Sequence, residues 1–196
     1  MDILLCLDLS INSTGWSTFN LKTKKLISYG VIKPKVPGIS KMKYPTSPLY
    51  KILDVTVMVR DLIEQVNPKV VLIEEINKGI SRISQKSLSA LGFFILDAIR
   101  CSGDKLLDKV EMIDSDGFTG WRTILKLRLS DEDKKHNAKA RKHNKKSKLK
   151  MTIITKKHLA QRYVNKALKK SFDIEKNKSE NDICDAIGMG LAYFLK

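Results

Sequence analysis

Ile3-Leu4-Leu5-Cys6-Leu7-Asp8 and Val70-Val71-Leu72-Ile73-Glu74 share one pattern, an unbroken apolar run closed by a carboxylate. Apolar residues at consecutive positions mark a strand covered on both faces. An acid at the end of such a strand is costly as a lone charge and sensible as a ligand for a hard cation. Asn12-Ser13-Thr14-Gly15 reads as a turn after the first run. Residues 15–20 and 25–32 supply two more strands, joined by the hairpin link Leu21-Lys22-Thr23-Lys24, so the chain opens as an antiparallel meander. Four of the five prolines, Pro34, Pro37, Pro45 and Pro48, place a surface loop at 33–48. Helical spacing then runs over 49–66 and stops at Asn67-Pro68. The run 69–75 is therefore reached by a strand–helix–strand crossover and is predicted to lie parallel to its partner.

Gly79 and Ser81 open a second helix, predicted over about 80–101, and 109–113 is a short fifth strand. Residues 117–128 are predicted to form a short helix that packs Trp121, Ile124 and Leu125. Residues 130–150 are rich in Lys and Arg and hold only Ala138, Ala140 and Leu149 as apolar residues, so the segment is expected to be mobile without a partner. Helices over about 150–170 and 180–195 follow, linked by a polar stretch at 171–178. The expectation is a single domain spanning 1–196, with a basic, mobile insertion at about 130–150.

The net charge is +16 and the pI near 9.7, with lysine far more frequent than arginine. A charge of this size, clustered along the chain, implies a polyanion partner, and lysine suits phosphate contact better than bidentate reading of base edges. Between 122 and 170 the only acids are Asp131, Glu132 and Asp133. Candidate phosphate contacts there are Arg122, Lys139, Arg141, Lys142, Lys145, Lys146, Lys148 and Lys150, with Arg82 and Lys86 on the second helix. His136, His143 and His158 read as solvated or phosphate-facing. Three cysteines without a Cys-x-x-Cys spacing argue against a disulfide framework or zinc site, and Cys6 and Cys184 read as buried thiols. The N-terminus lacks the pattern of a signal peptide, and no stretch approaches a membrane span, so the cytoplasm is the expected compartment.

Four acids carry the chemistry: Asp8, Glu74, Asp182 and Asp185. The last two stand three apart near the start of the final helix and so share one side of it. Phosphodiester hydrolysis builds negative charge on the phosphorus oxygens and the leaving oxygen, and two Mg²⁺ ions held by a few carboxylates meet that need, with Mn²⁺ a substitute. Asp8, the most central acid, is expected to bridge both ions, Glu74 to hold one side, and Asp182 with Asp185 the other. Two readings compete. Ser179 followed by Asp182 matches a helix-capping pattern, and Glu75 stands beside Glu74, from which strand alternation separates it in facing. The element order, with acids on the first and fourth strands, describes an α/β, ribonuclease H-like fold. Its mixed five-stranded sheet has three antiparallel strands, then parallel ones, flanked by helices.

LLCLDLSINSTGWS, VVLIEEINK and ENDICDAIGMGLAY together resemble the RuvC family of Holliday-junction resolvases, especially the forms found in phages. The resemblance implies an Mg²⁺-dependent endodeoxyribonuclease of recombination and repair. It assigns Asp8, Glu74, Asp182 and Asp185 to the metal-binding roles. It also implies a homodimer that cuts two strands of a four-way junction, with forks or flaps as further branched substrates. Family members often carry an aromatic residue shortly after the strand-four acid, where this chain has Ile76-Asn77-Lys78-Gly79. A family lysine assists the reaction, and Lys148 or Lys150 is the candidate here. Another ribonuclease H-like nuclease and a non-catalytic DNA-binding protein remain as alternatives. An actin-like ATPase would need a second lobe and a second glycine-rich phosphate turn.

Overall fold

The computed structural model describes residues 1–75 and 81–196. The reading of Gly79 as part of a helix start, and of 76–79 as the stretch lacking an aromatic, falls outside those residues. Five strands form one sheet in the order β3-β2-β1-β4-β5: β1 Ile3–Asp8, β2 Thr14–Asn20, β3 Leu26–Ile32, β4 Val70–Glu74 and β5 Val110–Ile113. β1 pairs antiparallel with β2 and parallel with β4, and β5 extends the parallel half. The sheet is thus the mixed, meander-then-parallel one that the sequence predicts.

The consecutive apolar residues of β1 and β4 divide between two cores. Leu5, Leu7, Val71 and Ile73 pack under helices α1 (Thr46–Val66) and α2 (Arg82–Ser102), through residues such as Val55, Val59, Leu91 and Ile95. Leu4, Cys6 and Leu72 face the opposite layer, made by α4 (Trp121–Ile124), α6 (Lys156–Leu168) and α7 (Ser179–Tyr193). Helices on both faces leave no apolar side of the central strands wet, which is why the runs need no alternation. Cys6 and Cys184 are buried within this second core. α1 stops at Asn67, in the left-handed conformation, directly before Pro68.

Helix α7 lies on the sheet at close range. A β-carbon on Gly15 would stand 2.0 Å from the Asp182 carbonyl oxygen, so the turn of α7 that carries Asp182 approaches β2 only because residue 15 has no side chain. Further along, the buried Ser17 hydroxyl donates to the Ala186 carbonyl at 2.8 Å.

Three elements differ from the sequence reading. The short helix α3 (Asp104–Leu107) was not anticipated, and the stretch 117–128 keeps only one helical turn, α4. The largest difference is at 130–150. Where charge density pointed to a mobile insertion, the structure holds helix α5 (Asp131–Lys146). Ser130 and Asp133 form a reciprocal capping box, the acids fill the first turn, and bases occupy the last. Asn137 bonds both backbone groups of Ile154 at 2.8 Å, and Arg162 reaches Asp133 at 2.8 Å. His136 and His143 lie within hydrogen-bond distance of the carbonyls of Thr152 and Leu149. They help tie the 147–155 segment to α5, and His143 is exposed to solvent, as the sequence reading has it.

Candidate active site

The parallel register sets Leu7 opposite Ile73, so the next residue on each strand, Asp8 and Glu74, emerge side by side from adjacent strands. Both sit on the face covered by α7, since alternation carries Leu4 and Cys6 to that face ahead of Asp8, and Leu72 ahead of Glu74. Glu75 is exposed, and it lines a surface depression with Ser89, Gly92, Phe93, Leu96 and Met112. Glu74 is therefore the acid of the pair on the Asp8 side.

From the other layer, the first turns of α7 bring Asp182 and Asp185. Asp182 does not cap the helix: the cap position is Lys178 and no side chain fills it. Its carboxylate instead accepts from the Ser13 hydroxyl at 2.5 Å and from the Asn181 amide at 3.1 Å. Asp185 is 3 % exposed and pairs with Arg122 at 3.2 Å. Glu74 accepts from the Trp121 indole at 3.4 Å, and a Ser115 hydrogen bond also favours its charged form. Adjacent residues of one helical turn, Trp121 and Arg122, thus hold two different acids.

Asp8 differs from these three. Among the described residues no hydrogen bond or ion pair reaches its carboxyl. Burial, and then the fields of Asp185, Glu74 and Asp182, raise its pKa well above the usual carboxylate range, opposed by Lys157. All three other acids are therefore close enough to Asp8 to be felt electrostatically. Burial likewise raises Glu74, against the pull of Arg122 and its hydrogen bonds. Asp185 is pushed up to about 7 by burial, with Arg122 and Lys157 opposing and Glu74 and Asp182 adding to the rise.

These donors suit a hard divalent cation: all are carboxylate oxygens, and among the described residues Asp8 has no protein donor and the buried Asp185 Oδ1 no hydrogen-bond partner. Among the described residues, no three acidic, histidine or cysteine side chains converge closely enough to hold an ion as they stand. Three of the four carboxylates are instead engaged by donors of the chain itself: Asp182 by Ser13 and Asn181, Glu74 by Trp121, and Asp185 by Arg122.

Of the predicted DNA contacts, Lys139, Arg141, Lys142, Lys145 and Lys146 are exposed on α5, as are Lys148 and Lys150 just beyond it and Arg82 and Lys86 on α2. Arg122 instead points inward, onto Asp185. The Lys150 ammonium bonds the carbonyls of Asn144 and Ser147, closing the end of α5. The lysine whose field reaches Asp8 and Asp185 is Lys157, in the first turn of α6. Sequence reasoning gave Lys157, Ser13 and Trp121 no role at this site, reading Ser13 as part of a turn and Trp121 as packing. A lysine or serine far along the chain carries no local signal of this kind, although Trp121 next to Arg122 in a short apolar turn was a usable hint.

No protein-family model matches the chain, and no curated protein matches its sequence. Solved structures do match its fold. RuvC of Thermus thermophilus in complex with Holliday junction substrate is 11% identical, with a TM-score of 0.58 over 100% of this chain and 94% of that one. A second Thermus thermophilus RuvC structure is 13% identical, with a TM-score of 0.57 over 98% and 93%. The yeast mitochondrial Holliday junction resolvase is 12% identical, with a TM-score of 0.51 over 98% of this chain and 78% of that one. The fold is thus the ribonuclease H-like one seen in RuvC.

Proposed function

We propose that the chain is a cation-dependent endodeoxyribonuclease that cleaves four-way junctions and related branched DNA. The observation that carries this reading is that acids of β1, β4 and α7 lie at one end of the central strands, where Glu74, Asp182 and Asp185 all act electrostatically on Asp8, whose carboxyl meets no donor among the described residues. The fold shared with resolvases supports it, as does a net charge of +16.

Asp8, Glu74, Asp182 and Asp185 would hold the cations. When bound, Mg²⁺ ions, or Mn²⁺ in their place, supply charge for the phosphorus and leaving oxygens and acidify a water. The chain's own contribution is positional. Ser13 and Asn181 orient Asp182, Trp121 orients Glu74, and the close seat of α7 on Gly15 sets the distance between the two pairs. Lys157, whose field reaches Asp8, would be the lysine that assists, in place of Lys148 or Lys150. The exposed bases of α5, with Arg82 and Lys86, would track the phosphate backbone.

The proposal includes a homodimer. α2 exposes Ile83 at 56%, Phe93 at 73% and Phe94 at 38%, and Met112 of β5 stands 49% exposed. Phe93 and Met112 line one depression, and exposed apolar groups of this kind suit a two-fold contact. Sedimentation showing a monomer at micromolar concentration would remove that part.

The deciding experiment compares cleavage of a four-way junction, a flap and an RNA–DNA hybrid in Mg²⁺. Preference for the junction supports the proposal. Preference for the hybrid would make the chain a ribonuclease H, and junction binding without cutting would make it a binding protein.

A further inference from the structure

Arg122 has only 14 % of its side chain exposed, yet its bonding is poor for a buried guanidinium. Nη2 meets Asp185 Oδ2 at 3.2 Å, Nη1 lies 3.7 Å from Asp116 Oδ2, and the plane rests over Trp121 at 4.6 Å from the ring centre. Among the described residues the guanidinium Nε has no acceptor, and Asp185 Oδ1 has no donor. An arginine and a carboxylate built for one another form two parallel bonds, which would satisfy both of these atoms. Here a single bond leaves an orphaned polar atom on each side of it. Buried orphans are rare in native proteins and call for a reason. The guanidinium also favours the charged form of Glu74, with which it shares no bond in this geometry. It behaves as countercharge to a group of acids and not as the partner of one.

We infer that Arg122 is a built-in counter-ion, which occupies the carboxylate centre in the cation-free protein and releases Asp185 when a divalent cation enters. The inference rests on the proposed function in requiring that cations bind at these acids. The unused lone pairs of Asp185 Oδ1 give the cation a point of entry before the ion pair breaks. Asp116 keeps the freed guanidinium nearby, and Asp116 is itself held by Lys156 at 2.6 Å. Competition of this kind weakens cation binding, so removing the competitor strengthens it. That direction is opposite to the loss expected of a residue that helps to build the site.

Thermal unfolding of the full chain, without DNA, against Mg²⁺ or Mn²⁺ concentration tests the point. Arg122→Met keeps an apolar stem over Trp121 and drops the charge. It should unfold at a lower temperature than the native chain when no cation is present, and reach half of its cation-induced stabilisation at about tenfold lower concentration, or about 1.4 kcal/mol. Arg122→Lys, which keeps a competing cation, should stay within about twofold of the native chain. Equal or higher cation demand in Arg122→Met overturns the inference while leaving the nuclease proposal intact. If that variant has no folding transition, the Arg122 Nε resonance of the native chain, assigned with Arg122→Lys, decides. It should shift on adding Mg²⁺, and an unmoved signal overturns the inference. A native chain that no divalent cation stabilises removes the proposed function and this inference together.

Discussion

The carboxylate end of the sheet and the basic helix α5 are charged oppositely and built by opposite means. Asp8, Glu74 and Asp185 sit where burial disfavours their charge, and they meet only because β1, β4 and α7 pack correctly. α5 is held largely by local devices: a capping box, acids first and bases last along the helix, and side-chain ties to the segment that follows. Its cations face solvent, where like charges a turn apart are screened and repel weakly. One region stores unfavourable electrostatics at fixed positions, while the other spreads charge at little cost. Single substitutions should therefore act strongly at the first region, and only combined ones at the second.

The sharpest break in that comparison is Asp8→Asn. Cleavage of a four-way junction in Mg²⁺ should fall by about 10³-fold or more, while junction binding in a gel titration persists. The same change removes the least supported charge of the centre. The cation-free variant should melt higher than the native chain, by about 2–4 °C for each 1 kcal/mol relieved. A variant that lost activity and also melted lower would mean that Asp8 serves the fold and not a site.

At the basic helix the corresponding test is collective. Replacing Lys139, Arg141, Lys142, Lys145 and Lys146 with Gln should lower affinity for branched DNA by about 10²-fold at low salt. It should also flatten the salt dependence by about 0.9 in log–log slope for each phosphate that is no longer neutralised. Any one replacement should change little, and melting should be nearly unaffected. If one lysine accounted for most of the weakening, the charge would not be spread as described.

Acidity separates the regions again. Asp8, Glu74 and Asp185 hold their protons more tightly in the folded chain than in the unfolded one, because burial raises all three. Below about pH 3 both states are protonated and the groups contribute nothing. As pH rises from there to about 7, where Asp185 titrates in the folded chain, the unfolded state sheds its protons first and stability is lost. The melting temperature in a chelating buffer should therefore fall by several degrees between about pH 5 and pH 7.5. Asp8→Asn should flatten the decline, whereas the α5 replacements should not.

The acid end was legible in the sequence because buried strands write themselves as apolar runs, and a carboxylate closing such a run is conspicuous. Asp8 and Glu74 were found that way, and their adjacency followed from the crossover rule. The partners of the acids were not legible. Ser13 meets Asp182 across 169 positions, and Arg122 meets Asp185 across 63, pairings that no local spacing encodes. α5 was misjudged for a different reason. Composition argued for mobility and gave no helix, whereas Ser130 with Asp133, and Asn137 and Ala140 on one side, supply the cap and packing of one. Arg122 was counted with the surface cations because charge alone does not tell which of several basic residues turns inward.

Gly15 tests whether the acid end depends on packing distance. A methyl group at that position would overlap the Asp182 carbonyl, and backbone cannot give way as a flexible side chain can. Gly15→Ala should cost about 1–3 kcal/mol in urea unfolding. It should also reduce cleavage by more than the folded fraction explains, since α7 would carry Asp182 and Asp185 away from β1.

The smallest expected effect distinguishes two accounts of Asp182. Sequence spacing pointed to Ser179 as the residue that defines its setting, by helix capping. In the structure Ser179 lies within the first turn and the bond to Asp182 comes from Ser13, in the turn between β1 and β2. Ser13→Ala should therefore cost about 1–2 kcal/mol, as expected for one hydrogen bond to a charged group, and Ser179→Ala close to nothing. The reverse ranking would return Asp182 to a capping role and leave Asp8, Glu74 and Asp185 as the acids of the centre. Equal and negligible costs would mean that the Ser13 bond is offset by solvent, so that Gly15 alone sets the position of α7 against the sheet.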